Sequence, residues 1–124
     1  MLTSRNRQFG LVLGMLWVAL GALGILAAPD GLLLGVLTVS LGQNVIHICV
    51  GAALAAAALI GLRSARAINL AVGILALALG MLGLFTSGTD DNLLNLNGAG
   101  NVVHFGTATV LLIAALGTDR AHRG

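Results

Sequence analysis

Four long apolar segments that contain no Asp, Glu, Lys or Arg dominate this sequence of 124 residues. They cover about residues 8–28, 44–62, 67–86 and 101–117, and polar or turn-forming residues bound each of them. A helix rises about 1.5 Å per residue, so roughly 20 apolar residues cross the hydrocarbon core of a bilayer. The chain is only 8% charged, against roughly 25% in a typical soluble chain. The sequence therefore predicts an integral membrane protein with four transmembrane helices and excludes a soluble globule.

The positions of the arginines predict the orientation of these helices. Arginines stand before the first span, between the second and third spans, and after the fourth, at Arg5, Arg7, Arg63, Arg66, Arg120 and Arg123. The other two loops carry Asp30, Asp90 and Asp91 and no arginine. Because basic residues collect on the cytoplasmic side and contact anionic lipid there, we expect both termini in the cytoplasm. The predicted location is the inner membrane of a bacterium, for which the Lys-free, Ala-, Gly- and Leu-rich composition is typical.

Two other interpretations of the basic residues fit the sequence less well. The apolar run that follows Arg5 and Arg7 exceeds the roughly 7 to 15 residues of a signal peptide's apolar region. The isoelectric point near 10.1 reflects pairs of arginines at the ends of spans. No basic stripe with aromatic or motif context accompanies them, so we expect no nucleic-acid partner.

An internal repeat relates the two halves of the chain. The first and third spans align at an offset of 59 residues, which places three glycines on three glycines and Arg7 on Arg66. The second and fourth spans align at an offset of 57, and Asn-Val-x-His opens both. We interpret this as a tandem duplication of a two-helix hairpin, about residues 7–62 and 66–117, within a single transmembrane domain over residues 1–124. The predicted fold is an all-α, four-helix transmembrane bundle with a pseudo-twofold axis along the membrane normal.

The glycines of the first and third spans fall on one face of an ideal helix in each copy. Such stripes of small residues let helix backbones approach closely, which is how helices associate in lipid. The stripe residues are Gly10, Gly14, Gly21, Gly24, Gly73, Gly80 and Gly83. We expect them to pack within the bundle, with dimerisation through the same face as the alternative. Asn69 stands where the first copy has Gly10 and is expected to hydrogen-bond across a helix interface.

The two loops opposite the arginines are apolar and partly alternating. Residues 37–41 and 94–97 lie at aligned positions, and both alternate with the period of two that is typical of strands. The sequence predicts that these segments lie extended over the bundle and pair as a small antiparallel ribbon.

The two Asn-x-x-His tetrapeptides carry the residues of chemical interest. Asn44 and Asn101 each open a span after a loop, and Asn is a favoured N-cap. In the first interpretation they cap the helices, and His47 and His104 at the third helical position reach back toward the cap. In the second, the two histidines converge on one ligand, haem b or a metal ion, because bis-His ligation in a four-helix bundle has this layout. In the third, the same histidines serve proton or small-solute transport.

No pattern in the chain indicates catalysis. The sequence contains no Glu, no nucleophile beside a base and no Gly-rich phosphate loop between strand and helix. We therefore expect a structural or interaction protein without catalysis or a cofactor of its own. Its expected partners are the lipid bilayer and either a second copy of itself or a larger membrane complex.

The motifs also resemble those of a known family. They are Gln43-Asn-Val-Ile-His-Ile-Cys-Val-Gly51, Ala65-Arg-Ala67 with Gly73 and Gly83, and Gly100-Asn-Val-Val-His-Phe-Gly106. Together they resemble the small four-span actinobacterial membrane proteins grouped as domain of unknown function 4383, over essentially the whole chain. Thr107 and Thr109 depart from that pattern, in a stretch that is usually more aliphatic. The resemblance implies the four-span membrane fold and, because the family has no assigned activity, no function.

Overall fold

The computed structural model describes residues 4–28 and 31–119. It contains four long helices, α1 Arg5–Ala27, α2 Leu41–Ile60, α3 Leu62–Thr86 and α4 Gly98–Leu116. All four are long and apolar enough to cross a membrane, with a mean hydropathy between 1.6 and 2.3. The predicted all-α, four-span architecture is confirmed at this level. Arg120 and Arg123, which the sequence places with the other arginines, lie outside the described residues.

The helices begin three to five residues earlier than the predicted spans. The largest difference is at α3, because Gly61 alone separates α2 from α3 and the helix already includes Arg63 and Arg66. Arginine has a long apolar stem, so it can occupy a helix end while its charged head reaches water. The apolar run therefore marks the membrane-crossing part of a helix, and the helix itself is longer.

Three helices begin at a residue whose side chain accepts a hydrogen bond from a backbone N–H three residues further on. These N-caps are Ser4 for α1, Ser40 for α2 and Asn97 for α4. The prediction that Asn44 and Asn101 are the N-caps is wrong, because both lie a full turn inside their helices and are buried. Each loop offers two possible caps four residues apart. The helix extends to the earlier cap, which adds a turn of backbone hydrogen bonds.

The four helices pack as two close pairs. The contacts are most extensive between α1 and α2 and between α3 and α4, and the pairs join through α1–α3, α2–α3 and α1–α4. Among the described residues no Cα atom of α2 lies within 8 Å of a Cα atom of α4. The glycine-rich helices α1 and α3 thus meet across the centre, and α2 and α4 stand at opposite corners.

One end of the bundle holds the start of α1 and α3 and the end of α2 and α4. There the Arg7 Nε donates to the carbonyl of Ala58, and the Arg66 Nε donates to the carbonyl of Ala115, each at 2.7 Å. We call this the terminal end, and the opposite end the loop end. The described arginines all lie at or near the terminal end, at Arg5, Arg7, Arg63 and Arg66.

The first loop folds into a hairpin of two short strands, β1 Leu32–Leu33 and β2 Leu37–Thr38. They pair antiparallel, with Leu32 opposite Thr38 and Leu33 opposite Leu37. The turn between them passes through Gly35 at a φ of 74°, in the left-handed region that favours glycine. The predicted ribbon between residues 37–41 and 94–97 is wrong, because β2 pairs with β1 in its own loop.

The two loops meet through side chains instead of strand pairing. The Thr38 Oγ1 donates to the carbonyl of Asn95 at 2.8 Å, and the Asn97 Nδ2 donates to the carbonyl of Val36 at 2.7 Å. In the second loop the Asn92 side chain bonds both the N–H and the carbonyl of Leu96, which closes a turn where a strand was predicted. These bonds hold the two loops together as a cover over the loop end.

Candidate functional site

An apolar cavity of about 130 Å³ lies at the loop end of the bundle. All four helices contribute to its wall, and residues of both loops cover it. Its wall is hydrocarbon for the most part, with Trp17 on α1, Gln43 and His47 on α2, Ala76 on α3 and His104 on α4. The cavity therefore lies between the two hairpins and belongs to neither alone.

The structure brings both predicted histidines to this cavity. The ring of Trp17 lies against each of them, edge-on to His47 with the ring centres 4.7 Å apart, and stacked near His104 with the centres 6.2 Å apart. His104 exposes only 7% of its surface. The Nδ1 atoms of both histidines are buried and have no hydrogen-bond partner among the described residues. The two imidazole rings thus converge on the cavity wall, and their Nδ1 atoms lie beneath its surface.

Trp17 is a part of the site that the sequence interpretation missed. It is buried, and its indole Nε1 donates to the Thr107 Oγ1 at 3.2 Å, which fixes the ring between α1 and α4. A helical-wheel argument would have found it, because Trp17 lies three residues after Gly14 and four before Gly21, on the same face as the glycine stripe. Thr107, where the chain departs from the family pattern, is the residue that holds this ring.

Gln43 adds a third unsatisfied polar group to the wall of the cavity. Its Nε2 donates to the carbonyl of Leu94 at 2.6 Å, which ties α2 to the second loop. Its Oε1 is buried and, like the two Nδ1 atoms, has no partner among the described residues. Leaving a buried polar atom unpaired costs about 1 to 3 kcal/mol. The Oδ1 atoms of Asn44, Asn69 and Asn101 are also buried without a partner, so such atoms occur at both ends of the bundle.

The two asparagines of the tetrapeptides do not line the cavity wall. The Oδ1 of Asn44 occupies the place where a Cβ on Gly24 would stand, and the Oδ1 of Asn101 does the same at Gly83. Each asparagine on α2 or α4 thus fills the notch that a glycine leaves on the helix paired with it. These glycines provide room for a polar side chain inside the bundle.

The remaining stripe glycines also face neighbouring helices within the chain. A Cβ on Gly14 would stand 2.6 Å from the carbonyl oxygen of Gly51, and a Cβ on Gly51 would stand 2.5 Å from that of Gly14. Backbone therefore contacts backbone where α1 crosses α2. On α3, Gly73 and Gly80 instead face the side chains of Leu112 and Phe105 on α4. All seven stripe glycines are buried within the chain, at Gly10, Gly14, Gly21, Gly24, Gly73, Gly80 and Gly83.

At the terminal end, a pair of fully buried asparagines forms a second polar cluster. The Asn69 Nδ2 donates to the backbone carbonyl and to the Oδ1 of Asn6, at 2.9 and 3.0 Å, across the α1–α3 interface as expected. The Asn6 Nδ2 in turn donates to the carbonyl of Ala114 at 2.7 Å and to the carboxylate of Asp119 at 2.9 Å. This cluster ties the start of α1 to α3 and to the end of α4.

Asp119 completes this cluster by capping α1. Its carboxylate accepts hydrogen bonds from the backbone N–H groups of Arg5 and Asn6, at 2.8 and 3.0 Å. Partial burial alone would raise the pKa of Asp119. The hydrogen bonds from Asn6 and Arg5 and the positive charge of Arg5 outweigh it and hold the pKa below its ordinary value. The sequence offered no sign of this contact, because it joins residues at opposite ends of the chain.

Two fully buried leucines separate the cavity from this cluster. Leu54 on α2 and Leu111 on α4 have no exposed surface. Along α4, Leu111 lies between His104 on the cavity and Ala114, which contacts Asn6. In the part of the chain that the structure describes, apolar side chains thus stand between the two polar groups.

The described residues offer a metal ion few ligands. Within residues 4–28 and 31–119, no three side chains of His, Cys, Asp or Glu lie together in a group that could hold a metal. His47 and His104 would supply two ligands at most, and Cys49 is exposed. A metal ion here would depend on non-protein ligands, since structural zinc sites use four protein ligands and catalytic ones use three.

The fold and the site define a four-helix protein of the multi-pass membrane type, with a small cavity between its two hairpins. The family model "Domain of unknown function (DUF4383)" matches residues 7–117, so the chain belongs to this family and the resemblance is confirmed. No curated protein and no solved structure matches the chain significantly. The family name assigns no activity, so function has to be argued from the cavity.

Proposed function

We propose that this chain is a non-enzymatic membrane protein of the interaction type that binds a small, lipid-soluble molecule in the loop-end cavity. The observation that carries this proposal is the convergence of the His47, His104 and Trp17 rings on one apolar cavity between the hairpins. A small molecule in the cavity would pack against these three rings. The protein needs no catalytic group for this role.

The size of the cavity limits the ligand. Pockets for drug-sized molecules measure roughly 300 to 1,000 Å³, whereas an engineered apolar cavity of about 150 Å³ takes up benzene. At about 130 Å³ this cavity matches a single ring. The haem b alternative is disfavoured for that reason, because a porphyrin is several times larger than the space beside the two histidines.

We propose that the cavity opens toward the bilayer between α2 and α3. Ile46 on α2 and Leu75 on α3 line it and are about half exposed, at 59% and 50%. In a membrane, apolar side chains exposed on spanning helices face lipid. A ligand dissolved in the hydrocarbon layer would therefore reach the cavity between α2 and α3 without passing through water.

A single metal ion at His47 and His104 is the second candidate, since neutral imidazole nitrogens are common metal ligands and both Nδ1 atoms are unpaired. It predicts metal in stoichiometric amounts in the purified protein, lost on His47→Ala or His104→Ala. A Soret band lost in the same variants would instead establish haem. Proton or solute transport is not proposed, because Leu54 and Leu111 interrupt the described polar groups between the two ends.

We also propose that the two hairpins arose by tandem duplication and are related by a pseudo-twofold axis along the membrane normal. Support comes from contacts that recur at the offsets of 59 and 57 residues. The matching contacts are Arg7–Ala58 with Arg66–Ala115 and Gly24–Asn44 with Gly83–Asn101, and the matching N-caps are Ser40 and Asn97. The cavity would then lie near the axis, with one histidine from each copy.

For the orientation, we propose a bacterial inner membrane with the terminal end in the cytoplasm. The described arginines lie toward that end, and Asp90 and Asp91 lie at the loop end. In a Cys49→Ser background, a membrane-impermeant maleimide added to intact spheroplasts should label Thr89→Cys and leave Thr118→Cys unlabelled until the membrane is permeabilised. Immediate labelling of Thr118→Cys would overturn the orientation.

The test of ligand binding compares two alanine-to-leucine variants on α3. Ala76 lines the cavity and is buried, whereas Ala78 on the same helix is exposed. Protein purified from its native membrane in a mild detergent is extracted with organic solvent, and the released molecules are measured by mass spectrometry. We expect one small molecule in stoichiometric amounts from the wild type and from Ala78→Leu. Ala76→Leu, which fills the cavity, should lose it.

The outcome that would overturn the proposal is equal recovery of every small molecule from the wild type and from Ala76→Leu. Thermal unfolding of both variants serves as the control for folding. If Ala76→Leu does not fold, His104→Leu is used in its place. It exchanges an imidazole on the cavity wall for an apolar side chain of similar size.

A further inference from the structure

Most residues on the cavity wall come in pairs that correspond at the offsets of 59 and 57 residues. Both members of the following pairs line it: Leu20 and Leu79, Leu37 and Leu94, Thr38 and Asn95, Gln43 and Gly100, Ile46 and Val103, and His47 and His104. The pair that differs most in side-chain size is Trp17 on α1 and Ala76 on α3. An indole thus lies on one side of the cavity, and a methyl group lies at the corresponding place on the other.

The residue that holds the Trp17 ring also has a counterpart beside Ala76. Trp17 donates to the Oγ1 of Thr107, across the contact between α1 and α4. At an offset of 57 residues Thr107 corresponds to Val50 on α2, which lines the cavity together with Ala76. The cavity therefore extends between α2 and α3, at the place that corresponds to the one the indole fills between α1 and α4.

Contacts between neighbouring helices recur at the same offsets, so the two places have similar surroundings. A Cβ on Gly21 of α1 would contact the side chain of Ile48 on α2. A Cβ on Gly80 of α3 would contact the side chain of Phe105 on α4, which is the residue that corresponds to Ile48. A ring beside Ala76 would therefore have neighbours that correspond to those of Trp17.

The contacts of Trp17 indicate how such a ring would lie. The indole is edge-on to His47, on the helix paired with its own, and stacked near His104, on a helix of the other pair. For a ring beside Ala76 the roles of the two histidines exchange, so that it lies edge-on to His104 and stacked near His47. Aromatic rings prefer these two arrangements. The free volume of about 130 Å³ admits one six-membered ring.

From these observations we infer that the cavity binds a single apolar aromatic ring, at the place that corresponds to the Trp17 indole. The ligand is a monocyclic aromatic molecule without polar groups on its ring. Val50 is apolar where Thr107 bonds the indole, so an apolar ring fits this place better than one with an N–H group. This inference rests on the proposed binding function and on the proposed duplication, and it names the class of the ligand.

Fluorobenzene is the probe, because it is a single apolar ring and fluorine NMR reports its binding. The protein in nanodiscs is titrated with fluorobenzene, and fluorohexane serves as a flexible chain with the same number of carbons. We expect saturable binding of fluorobenzene to the wild type and to Ala78→Leu, and only linear partitioning into lipid with Ala76→Leu. Fluorohexane should bind at least about tenfold more weakly, because a chain has no ring face to stack.

A second pair of variants tests the fit of a ring directly. Ala76→Phe would place a ring in the cavity from α3, as Trp17 does from α1. It should abolish the saturable binding and raise the Tm by about 2 °C or more, because filling a cavity stabilises a protein. Ala78→Phe, at an exposed position on the same helix, should keep the binding and leave the Tm within about 1 °C of the wild type.

Three results would overturn the inference: linear uptake of fluorobenzene by the wild type, equally tight binding of fluorohexane, or a lower Tm in folded Ala76→Phe. If Ala76→Phe does not fold, the binding comparison with Ala76→Leu decides. If extraction releases a molecule without an aromatic ring from the wild type but not from Ala76→Leu, the inference fails and the proposed function stands. If Ala76→Leu equals the wild type in both the extraction and the titration, both fail.

Discussion

Polar side chains lie inside this bundle at both of its ends, but their hydrogen bonding differs. At the terminal end, Asn6 and Asn69 have no exposed surface and share bonds with each other, with Ala114 and with Asp119, while the Asn69 Oδ1 has no partner among the described residues. At the loop end, His47 and His104 lie beside a cavity with their Nδ1 atoms unpaired. The first arrangement fixes where helices cross. The second places two imidazole rings and an indole on the wall of a cavity.

This difference separates a structural use of buried polarity from a binding use. In a bilayer the apolar surfaces of helices do not by themselves select a partner helix, so interhelical hydrogen bonds and close packing do. The Asn6–Asn69 pair selects the α1–α3 crossing. A site for a ligand has to keep its groups free, and it gives up some stability to do so. Four predictions test whether the two ends differ in this way.

The largest effect should come from the terminal cluster. Asn6→Ala removes the bonds to Ala114 and Asp119 and one of the two bonds from Asn69, so the free energy of unfolding should fall by about 2 to 3 kcal/mol. Asn44→Ala is the matched control, because Asn44 is buried at the loop end and its side chain makes no described hydrogen bond. Its loss should be smaller by about 1 kcal/mol or more. Reversible unfolding in detergent measures both, and equal losses would contradict the comparison.

The next effect concerns pH and Asp119. Its pKa is lower in the folded than in the unfolded chain, so its stabilisation is present above the ordinary carboxyl pKa of about 3.9 and is lost as the pH falls through the folded value. Asp119→Asn should cost about 1 kcal/mol at neutral pH, because the carboxylate caps α1 while remaining partly exposed to solvent. The difference from the wild type should shrink as the pH is lowered below about 4. A constant difference across this range would exclude the charged cap.

A smaller effect is expected at the wall of the cavity. Thr107→Val keeps the shape of the side chain and removes the hydrogen bond from the Trp17 indole, so stability should fall by about 1 kcal/mol. The emission maximum of Trp17 should shift to shorter wavelength at the same time, because the indole loses a polar partner. Thr109→Val, at an exposed position on the same helix, removes only a bond within that helix, from the Thr109 Oγ1 to the carbonyl of Phe105, so it should cost less stability and leave the emission maximum unchanged.

The smallest effect on stability is expected at the site itself. His104→Leu removes an unpaired buried atom and also the ring contact with Trp17, and these two effects oppose each other, so stability in the absence of ligand should change by less than about 1 kcal/mol. A loss of about 2 kcal/mol or more would mean that His104 is a structural residue like Asn6. The comparison between the two ends would then have no basis.

The sequence predicted the features that depend on the composition of a single helix or on the alignment of the two repeats. The length and polarity of the spans predicted four helices, since the thickness of a bilayer sets both. The repeat predicted that His47 and His104 lie at matching depths, and the structure places both on one cavity. Asn69 was expected at an interface because it replaces the small residue Gly10, and it bonds Asn6 there.

The other features of the fold depend on alternatives whose local free energies are similar. Ser40 and Asn44 are both good N-caps one turn apart, and only the packing of the added turn selects Ser40. The first loop can pair with the second loop or fold into a hairpin of its own, and the turn at Gly35 favours the hairpin. Trp17 contacts Thr107 on α4, and Asn6 contacts Asp119 just after α4. Both contacts depend on how α1 is rotated about its axis relative to α4, which the sequence of one helix does not specify.

The central claim is that the loop end binds a small molecule through its two histidines. Its most direct test is mass spectrometry of the molecules extracted from wild-type protein and from the His47→Leu/His104→Leu double variant, both purified from native membranes and shown to be folded. We predict one small molecule in stoichiometric amounts with the wild type and a reduction of at least about a hundredfold in the double variant. The same molecule at the same level in both proteins would contradict the account.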